Sequence, residues 1–174
     1  LALAVPGLFS VLIEPALGVL GDTGRRRALV LGGGVVFGAS LLLYALAPNF
    51  ELFLVAACLF APASGAFVSL SQATLMDLQP DRHEQNMARW TLAGSVGVVA
   101  GPLLLSLFIL LTWGWRGMMV GLAFISLSVL ALAWRGFPLR RPAAAADDEA
   151  HLSVRESLRR AIGLLKRGPV LRWL

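Results

Sequence analysis

The sequence predicts an all-α protein whose helices cross a membrane several times. Two observations carry this prediction, the composition and the placement of the charged residues. Of the 174 residues, 57% are hydrophobic and 14% are charged, and the mean hydropathy is +0.77. A soluble domain carries roughly 25% charged residues, so this chain has too few polar side chains to cover a surface that faces water.

Five apolar stretches each approach the roughly 20 residues that a helix needs to cross the hydrocarbon core. Backbone polar groups in lipid must be satisfied within their own segment, which favours helices. The many glycines suit the close packing of membrane helices. The predicted spans are Leu1–Leu20, Ala28–Ala47, Leu52–Met76, Trp90–Trp113 and Gly117–Trp134.

The basic residues lie between and after these spans, in alternate connections. Three arginines follow the first span and two lie between the third and the fourth, whereas residues 48–51 contain none. By the positive-inside rule, the basic connections and the tail after Trp134 face the cytoplasm. We therefore expect a multi-pass protein of the cell membrane, with a bacterial inner membrane favoured. A nucleic-acid partner is excluded, because its basic residues would form a patch on a folded polar surface.

Residues 135–168 are predicted to form a cytoplasmic linker. The first part, RGFPLRRPAAAADDE, contains two prolines, an alanine run and an acidic cluster, as flexible connections do. In the part that follows, Val154, Leu158 and Leu165 recur at helical spacing among basic residues, which predicts an amphipathic helix along the membrane face. Residues 169–174 are predicted to begin another transmembrane helix.

The most specific motif is GVLGDTGRRRALVLGG, residues 18–33. It resembles the loop between the second and third helices of the major facilitator superfamily, roughly G-x-L-a-D-r-x-G-r-[RK]. The chain is one residue short between the Asp and the Gly, and Thr23 stands where a basic residue is usual. The residues of the implied gating loop are Gly18, Asp22, Gly24, Arg25 and Arg26, together with Asp77 at the end of the third span.

The resemblance implies that acidic and basic groups of this loop form a pair in one conformation and separate in another. The alternative is that the three arginines serve only as a topology anchor.

A second motif, WTLAGSVGVVAGPLLLS, resembles the family's fifth helix, whose G-x-x-x-G-P-x-x-G-G pattern is associated with antiporters. Gly97, Gly101 and Pro102 match it, but Leu105 and Ser106 replace the terminal glycine pair. The glycines are equally consistent with a small-residue packing face.

GWRGMM and LSQATLMDLQPDRHEQNMARW match the family by position. The resemblance implies an incomplete N-terminal bundle, consisting of the second to sixth transmembrane helices and the central linker. The first helix and the C-terminal half are then missing from this chain, and that missing half would be its partner, with the lipid bilayer and a small-molecule substrate.

Glu14 is the candidate proton-coupling residue. The family often has an arginine in the fourth helix, but Ala56 or Ala57 stands at that place here. Glu14 lies eight residues before Asp22, about 12 Å deeper along the helix, and Pro15 follows it. An ionisable group at such a depth is costly and marks a functional site. The alternatives are a structural glutamate that pairs with the missing half and a neutral glutamate that is bonded to a neighbour.

Gly65, Ser69 and Gln72 lie at i, i+4 and i+7 of the third span and are candidate cavity-lining residues. Their mild polarity suits a lipophilic substrate better than a sugar. Hydrogen bonds between packed helices are the alternative explanation.

The resemblance implies a secondary active transporter that works by alternating access. We expect proton-coupled efflux of lipophilic or drug-like compounds, with uptake of a metabolite as the alternative. An intramembrane enzyme or a non-transporting scaffold is a remote alternative, because an enzyme needs paired catalytic groups at one depth. No cofactor or metal is expected, since no Walker sequence occurs and His83-Glu84 lacks metal-ligand spacing.

Overall fold

The computed structural model describes residues 4–21 and 26–136, and nearly all of them are helical. The helices are α1 (Ala4–Leu20), α2 (Arg26–Leu46), α3 (Phe50–Ser64), α4 (Leu70–Leu78), α5 (His83–Leu110) and α6 (Gly114–Gly136). A π-helical turn, Gly65–Ser69, joins α3 to α4, and a 3-10 turn, Pro80–Arg82, joins α4 to α5. No strand occurs in these two ranges, which confirms the predicted all-α class.

Four helical segments of the described chain are long and apolar enough to cross a membrane. The helix α1 is apolar but shorter, with 17 residues. The four segments are Arg26–Leu46, Phe50–Leu78, Pro80–Leu110 and Gly114–Gly136. The linker is predicted to begin at Arg135, whereas α6 continues to Gly136. The rest of the linker, the amphipathic helix and the start of a further span lie outside the described residues.

Helix α5 differs most from the predicted span. It begins at His83, seven residues before Trp90, and runs for 28 residues. That length corresponds to about 42 Å, more than the roughly 30 Å hydrocarbon core, so the helix continues beyond the part that hydropathy detects. It ends at Leu110, because Thr112 and Gly114 then adopt positive φ angles of 62° and 61° and turn the chain sharply into α6.

Helix α2 lies between α3 and α6 and packs closely on both. A Cβ atom built at Gly38 would lie 2.6 Å from Leu127 Cδ2 of α6. A Cβ at Gly33 would lie 2.7 Å from Ala66 Cβ and 3.1 Å from the Phe67 backbone nitrogen, both in the π turn. Glycine at these two positions therefore sets how near α2 comes to its neighbours.

Arginines at the two ends of α2 and α6 hold these antiparallel helices to each other. Arg116, near the start of α6, donates to the Ala47 carbonyl just past the end of α2, at 2.8 Å. Arg27, near the start of α2, donates to the Trp134 carbonyl near the end of α6, at 3.3 Å. Carbonyls in the last turn of a helix lack partners within the helix, and a cation there also interacts favourably with the helix dipole. Each helix thus caps the other.

Stacked aromatic rings fill the interface of α2 with α3. Phe37 and Phe60 have ring centroids 4.8 Å apart, and so do Tyr44 and Phe53. Helix α1 packs on α3, and α5 packs on α6. The Arg26 end of the bundle contains the start of α2, and the opposite Asn49 end contains the α2–α3 connection.

Large apolar side chains cover the outer faces of the helices. Leu12 is 77% exposed, Val98 76% and Leu110 80%. A surface of this kind is unfavourable in water and suits a lipid solvent or a further helix.

The close approach at Gly33 predicts a sharp difference between two neighbouring glycines. Gly33→Ala would push α2 away from the backbone of the π turn and lower the free energy of unfolding by about 1–3 kcal/mol, as overpacked cores do. Gly32→Ala is the matched control, because a Cβ there meets no atom within 4 Å. Thermal unfolding of the full-length protein in detergent measures both. Equal melting temperatures for the two variants would contradict this packing.

Candidate functional site

Glu14 lies on α1 against the start of the π turn. A Cβ atom at Gly65 would lie 3.3 Å from Glu14 Cγ and 3.4 Å from Oε1. Glycine at position 65 therefore makes room for the carboxyl group at the contact of α1 with α3. The Ser10 hydroxyl, one turn earlier in α1, donates a hydrogen bond to Glu14 Oε1.

Both helices that meet at Glu14 contain a proline close to it. Pro15 lies inside α1 and Pro62 inside α3. A proline has no backbone N–H, so each one removes a hydrogen bond to the carbonyl four residues earlier. The π turn begins three residues after Pro62, where the Gly65 N–H donates to the carbonyls of Ala61 and Pro62. Turns of this type are frequent at functional sites.

The carbonyls four residues before Pro15 and Pro62 lack the hydrogen bond that each proline removes. Helical backbone with missing hydrogen bonds is tolerated at membrane depth where it is buried in protein or lines a cavity. Among the described residues the Glu14 side chain is exposed, and its carboxyl group accepts the hydrogen bond from Ser10.

The described part of the predicted gating loop forms an ion pair. Arg26, the first residue of α2, donates from Nη1 to Asp77 Oδ2 near the end of α4. The two side chains are 25% and 50% exposed, so water screens the pair in part. Their separation of 51 positions in the sequence means that this contact ties the start of one span to the end of the next. Asp22, Gly24 and Arg25 lie outside the described residues.

The close helix approach at this end of α1 lies at Gly21, three residues after the motif residue Gly18. No atom of the described residues comes within 4 Å of a Cβ built at Gly18, whereas one at Gly21 would lie 2.9 Å from Leu70 Cδ2. Gly21 is buried. The end of α1 is therefore brought against the start of α4 by Gly21.

The three candidate cavity-lining residues have different surroundings. Gly65 faces Glu14 of α1, and Gln72 Nε2 lies 3.3 Å from Met87 Sδ of α5. Ser69, the last residue of the π turn, is exposed. The expected common face assumed regular α-helical spacing, and a π turn changes the rotation per residue.

The Gly-Pro motif lies on an open face of α5. A Cβ at Gly97 or Gly101 meets no atom within 4 Å, and Pro102 is exposed. The carbonyl of Pro102 accepts from the Ser106 hydroxyl at 3.0 Å. Within the described residues, these glycines therefore contact no neighbouring helix.

Sequence reasoning missed Ser10, Arg27 and the role of Arg116. The spacing of Ser10 and Glu14, four residues apart on one helix, was a readable signal for their hydrogen bond. The two arginine caps depend on which helices become neighbours, and no local pattern carries that information.

The sequence profile of the Major Facilitator Superfamily matches residues 1–174 of the chain. The chain therefore belongs to this family of membrane transport proteins.

The chain is similar to three bacterial proteins. It is 30% identical over 171 residues to the "Transcription regulatory protein OpdE" of Pseudomonas aeruginosa, covering 97% of this chain and 40% of that protein. It is 32% identical over 127 residues to a "Chloramphenicol resistance protein" of Pseudomonas aeruginosa, covering 71% and 30%. It is 31% identical over 129 residues to the "Putative metabolite transport protein YdjK" of Escherichia coli, covering 70% and 27%.

The chain thus spans 40% or less of the length of these relatives. No solved structure gives a significant match.

The Arg26–Asp77 contact predicts a measurable coupling. Asp77→Asn should lower the free energy of unfolding of the full-length protein by about 1 kcal/mol or less, because the pair is partly exposed. The charge-swapped double variant, Arg26→Asp with Asp77→Arg, should recover most of this loss in a double-mutant cycle. Asp81→Asn, an exposed acid in the neighbouring 3-10 turn, is the control and should have no effect. Additive losses in the swapped variant would show that the two charges do not interact.

Proposed function

We propose that the protein containing this chain is a secondary active transporter that works by alternating access and is coupled to protons through Glu14. The observation that carries the proposal is the contact of the Glu14 carboxyl group with Gly65, at the point where Pro15 and Pro62 weaken both helices. Membership in a family of transporters supports the activity.

Proton coupling by Glu14 would proceed through exposure of the carboxyl group to each side in turn. Opening of the site to water would permit release of the proton, and Ser10 would then stabilise the carboxylate that remains. The distorted α1 and α3 are suited to such movement, because irregular helix turns frequently act as hinges.

The Arg26–Asp77 pair would stabilise one of the two conformations. It joins the start of α2 to the end of α4. The helix α4 follows the π turn along the chain, whereas α3 precedes it. A contact that forms in one state and separates in the other biases the equilibrium by its own interaction free energy. For a partly exposed pair this bias is about 1 kcal/mol or less, which suffices to shift a nearly balanced equilibrium several-fold.

Efflux of lipophilic compounds is the proposed direction and substrate class. Similarity to a protein named for chloramphenicol resistance supports it, as does the apolar character of the helices. Uptake of a metabolite is the second candidate, which the similarity to a protein named as a putative metabolite transporter favours.

The proposal predicts that Glu14→Gln abolishes transport driven by a proton gradient in the full-length protein, because glutamine cannot take up or release a proton. The matched control is Glu51→Gln, an exposed acid in the first turn of α3, which should retain the wild-type rate. Counterflow exchange of substrate without a gradient should survive in Glu14→Gln, since it requires movement but no net proton transfer. Retention of gradient-driven transport in Glu14→Gln would overturn the role of this residue.

The direction is tested by reconstitution in vesicles of known orientation, with chloramphenicol as the first probe. Right-side-out vesicles with an inward proton gradient should show lower accumulation of the probe than empty vesicles, as antiport requires. Accumulation of the probe above the level in vesicles without the protein would exclude efflux and favour uptake.

A further inference from the structure

A cavity of about 660 Å³ lies between α2, α3 and α6 in the half of the bundle toward the Asn49 end. Tyr44 lines it from two residues before the end of α2, and Trp115 lines it from the second residue of α6. Phe37 and Ser126 lie deeper, seven and eleven residues along their helices from these positions. No residue of α1 lines the cavity, so it is separate from the contact of Glu14 with Gly65.

The walls of the cavity are almost entirely apolar and mostly aromatic. Rings of α2 and α3 alternate along it, with Phe37 against Phe60 at 4.8 Å, Phe60 against Tyr44 at 5.9 Å and Tyr44 against Phe53 at 4.8 Å between centroids. At the Asn49 end, Phe53 meets Trp115 edge to face at 6.4 Å. This last pair joins α3 to α6 and narrows the cavity toward the surface.

Two hydroxyl groups are the polar features of the lining, those of Tyr44 and Ser126. Neither forms a hydrogen bond with any of the described residues 4–21 and 26–136. Other helical hydroxyl groups, such as those of Ser71 and Thr74 in α4, donate to the carbonyl four residues earlier. The Ser126 hydroxyl is therefore available to a molecule in the cavity.

The charge around the cavity selects against a cation. The guanidinium group of Arg116 lies 5.3 Å from the centre of the Trp115 ring, at the Asn49 end. Within residues 4–21 and 26–136, no aspartate or glutamate belongs to the lining. A cation would then meet a positive charge at the mouth and no counter-ion within, and burial of an unpaired charge in an apolar site is costly.

We propose that this aromatic cavity is a binding site for a neutral, lipophilic molecule that contains an aromatic ring and one hydrogen-bonding group. The volume lies within the range of about 300–1,000 Å³ that is typical of small-molecule sites, and such sites pair apolar walls with a few placed polar groups. The edge-to-face ring ladder offers a further ring an offset or T-shaped contact. The hydroxyl groups of Tyr44 and Ser126 would orient the polar group of the molecule.

Ligand binding in the cavity does not require proton coupling by Glu14. A result that overturns one of these two proposals therefore leaves the other standing. The test uses the full-length protein in phosphatidylcholine nanodiscs and benzophenone as the probe, since it is neutral, aromatic and has one carbonyl acceptor. Irradiation inserts the probe into nearby C–H bonds, and mass spectrometry of the digested protein locates it. We expect saturable labelling within residues 37–44 or 115–126.

Substitutions of two serines of α6 provide the matched variants for this test. Ser126→Trp fills the cavity and should lower labelling there at least tenfold, whereas Ser128→Trp, at an exposed position two residues away, should retain it within twofold. Ser126→Ala keeps the space and removes one hydrogen bond, so the concentration for half-saturation should rise about fivefold. That variant also serves if Ser126→Trp does not fold. A benzophenone with a quaternary ammonium group should fail to compete.

Three results would overturn the proposal. One is labelling that rises linearly with probe and spreads over the lipid-facing positions, which indicates partition into lipid only. Another is the absence of label in the cavity of the wild-type protein, which indicates that another helix of the full-length protein fills it. The third is an equal loss of labelling in Ser126→Trp and Ser128→Trp.

Discussion

The close antiparallel packing of α2 against α6 is the constraint on which the rest of the described structure depends. It results from glycine on one helix facing leucine on the other, and from the two arginines that each cap the opposite helix. Lipid gives helices no hydrophobic reason to associate, so close van der Waals contact and satisfied backbone groups supply the stability. Both are concentrated in this pair. The position of α2 then fixes α3 on its other side through Gly33 and the aromatic ladder.

The sites on the molecule follow from that arrangement. Because α2 comes close to the π turn at Ala66, the turn is held on one face while Gly65 is presented to α1 on the other. The π turn that contacts Glu14 is therefore an irregular segment, and α2 packs closely against its other face. The same placement of α2 between α3 and α6 separates those two helices and leaves the aromatic cavity between them. A carboxyl group and an apolar cavity are thus found on opposite sides of one irregular span.

Much of the fold was predictable from the sequence, and the reasons are physical. The hydropathy of a lipid-facing helix is high over some twenty residues, so the composition and span positions require no knowledge of contacts. The ends of α5 were not predictable in this way, because the helix continues through polar residues from His83. The π turn at Gly65 was equally hidden, since Pro62 indicates a distortion but not its type.

The sites were predictable only where a motif or a local spacing existed. Glu14 was identified from its depth in an apolar span, and its neighbour Ser10 follows from helical spacing. The pairing of Arg26 with Asp77 joins positions 51 apart, and the motif indicated both residues without joining them. The motif marks Gly18, whereas the close approach lies at Gly21 and depends on the angle at which α1 meets α4. The aromatic cavity depends on three helices at once and has no local pattern.

The central claim is that Glu14 takes up and releases a proton. Infrared difference spectroscopy of the full-length protein in lipid measures this directly, because a protonated carboxyl group has a C=O stretching band that a carboxylate lacks. The account predicts that acidification produces such a band in the wild-type protein and that one component of it is lost in Glu14→Gln. Persistence of an identical band in Glu14→Gln would contradict the account, because the proton would then reside elsewhere.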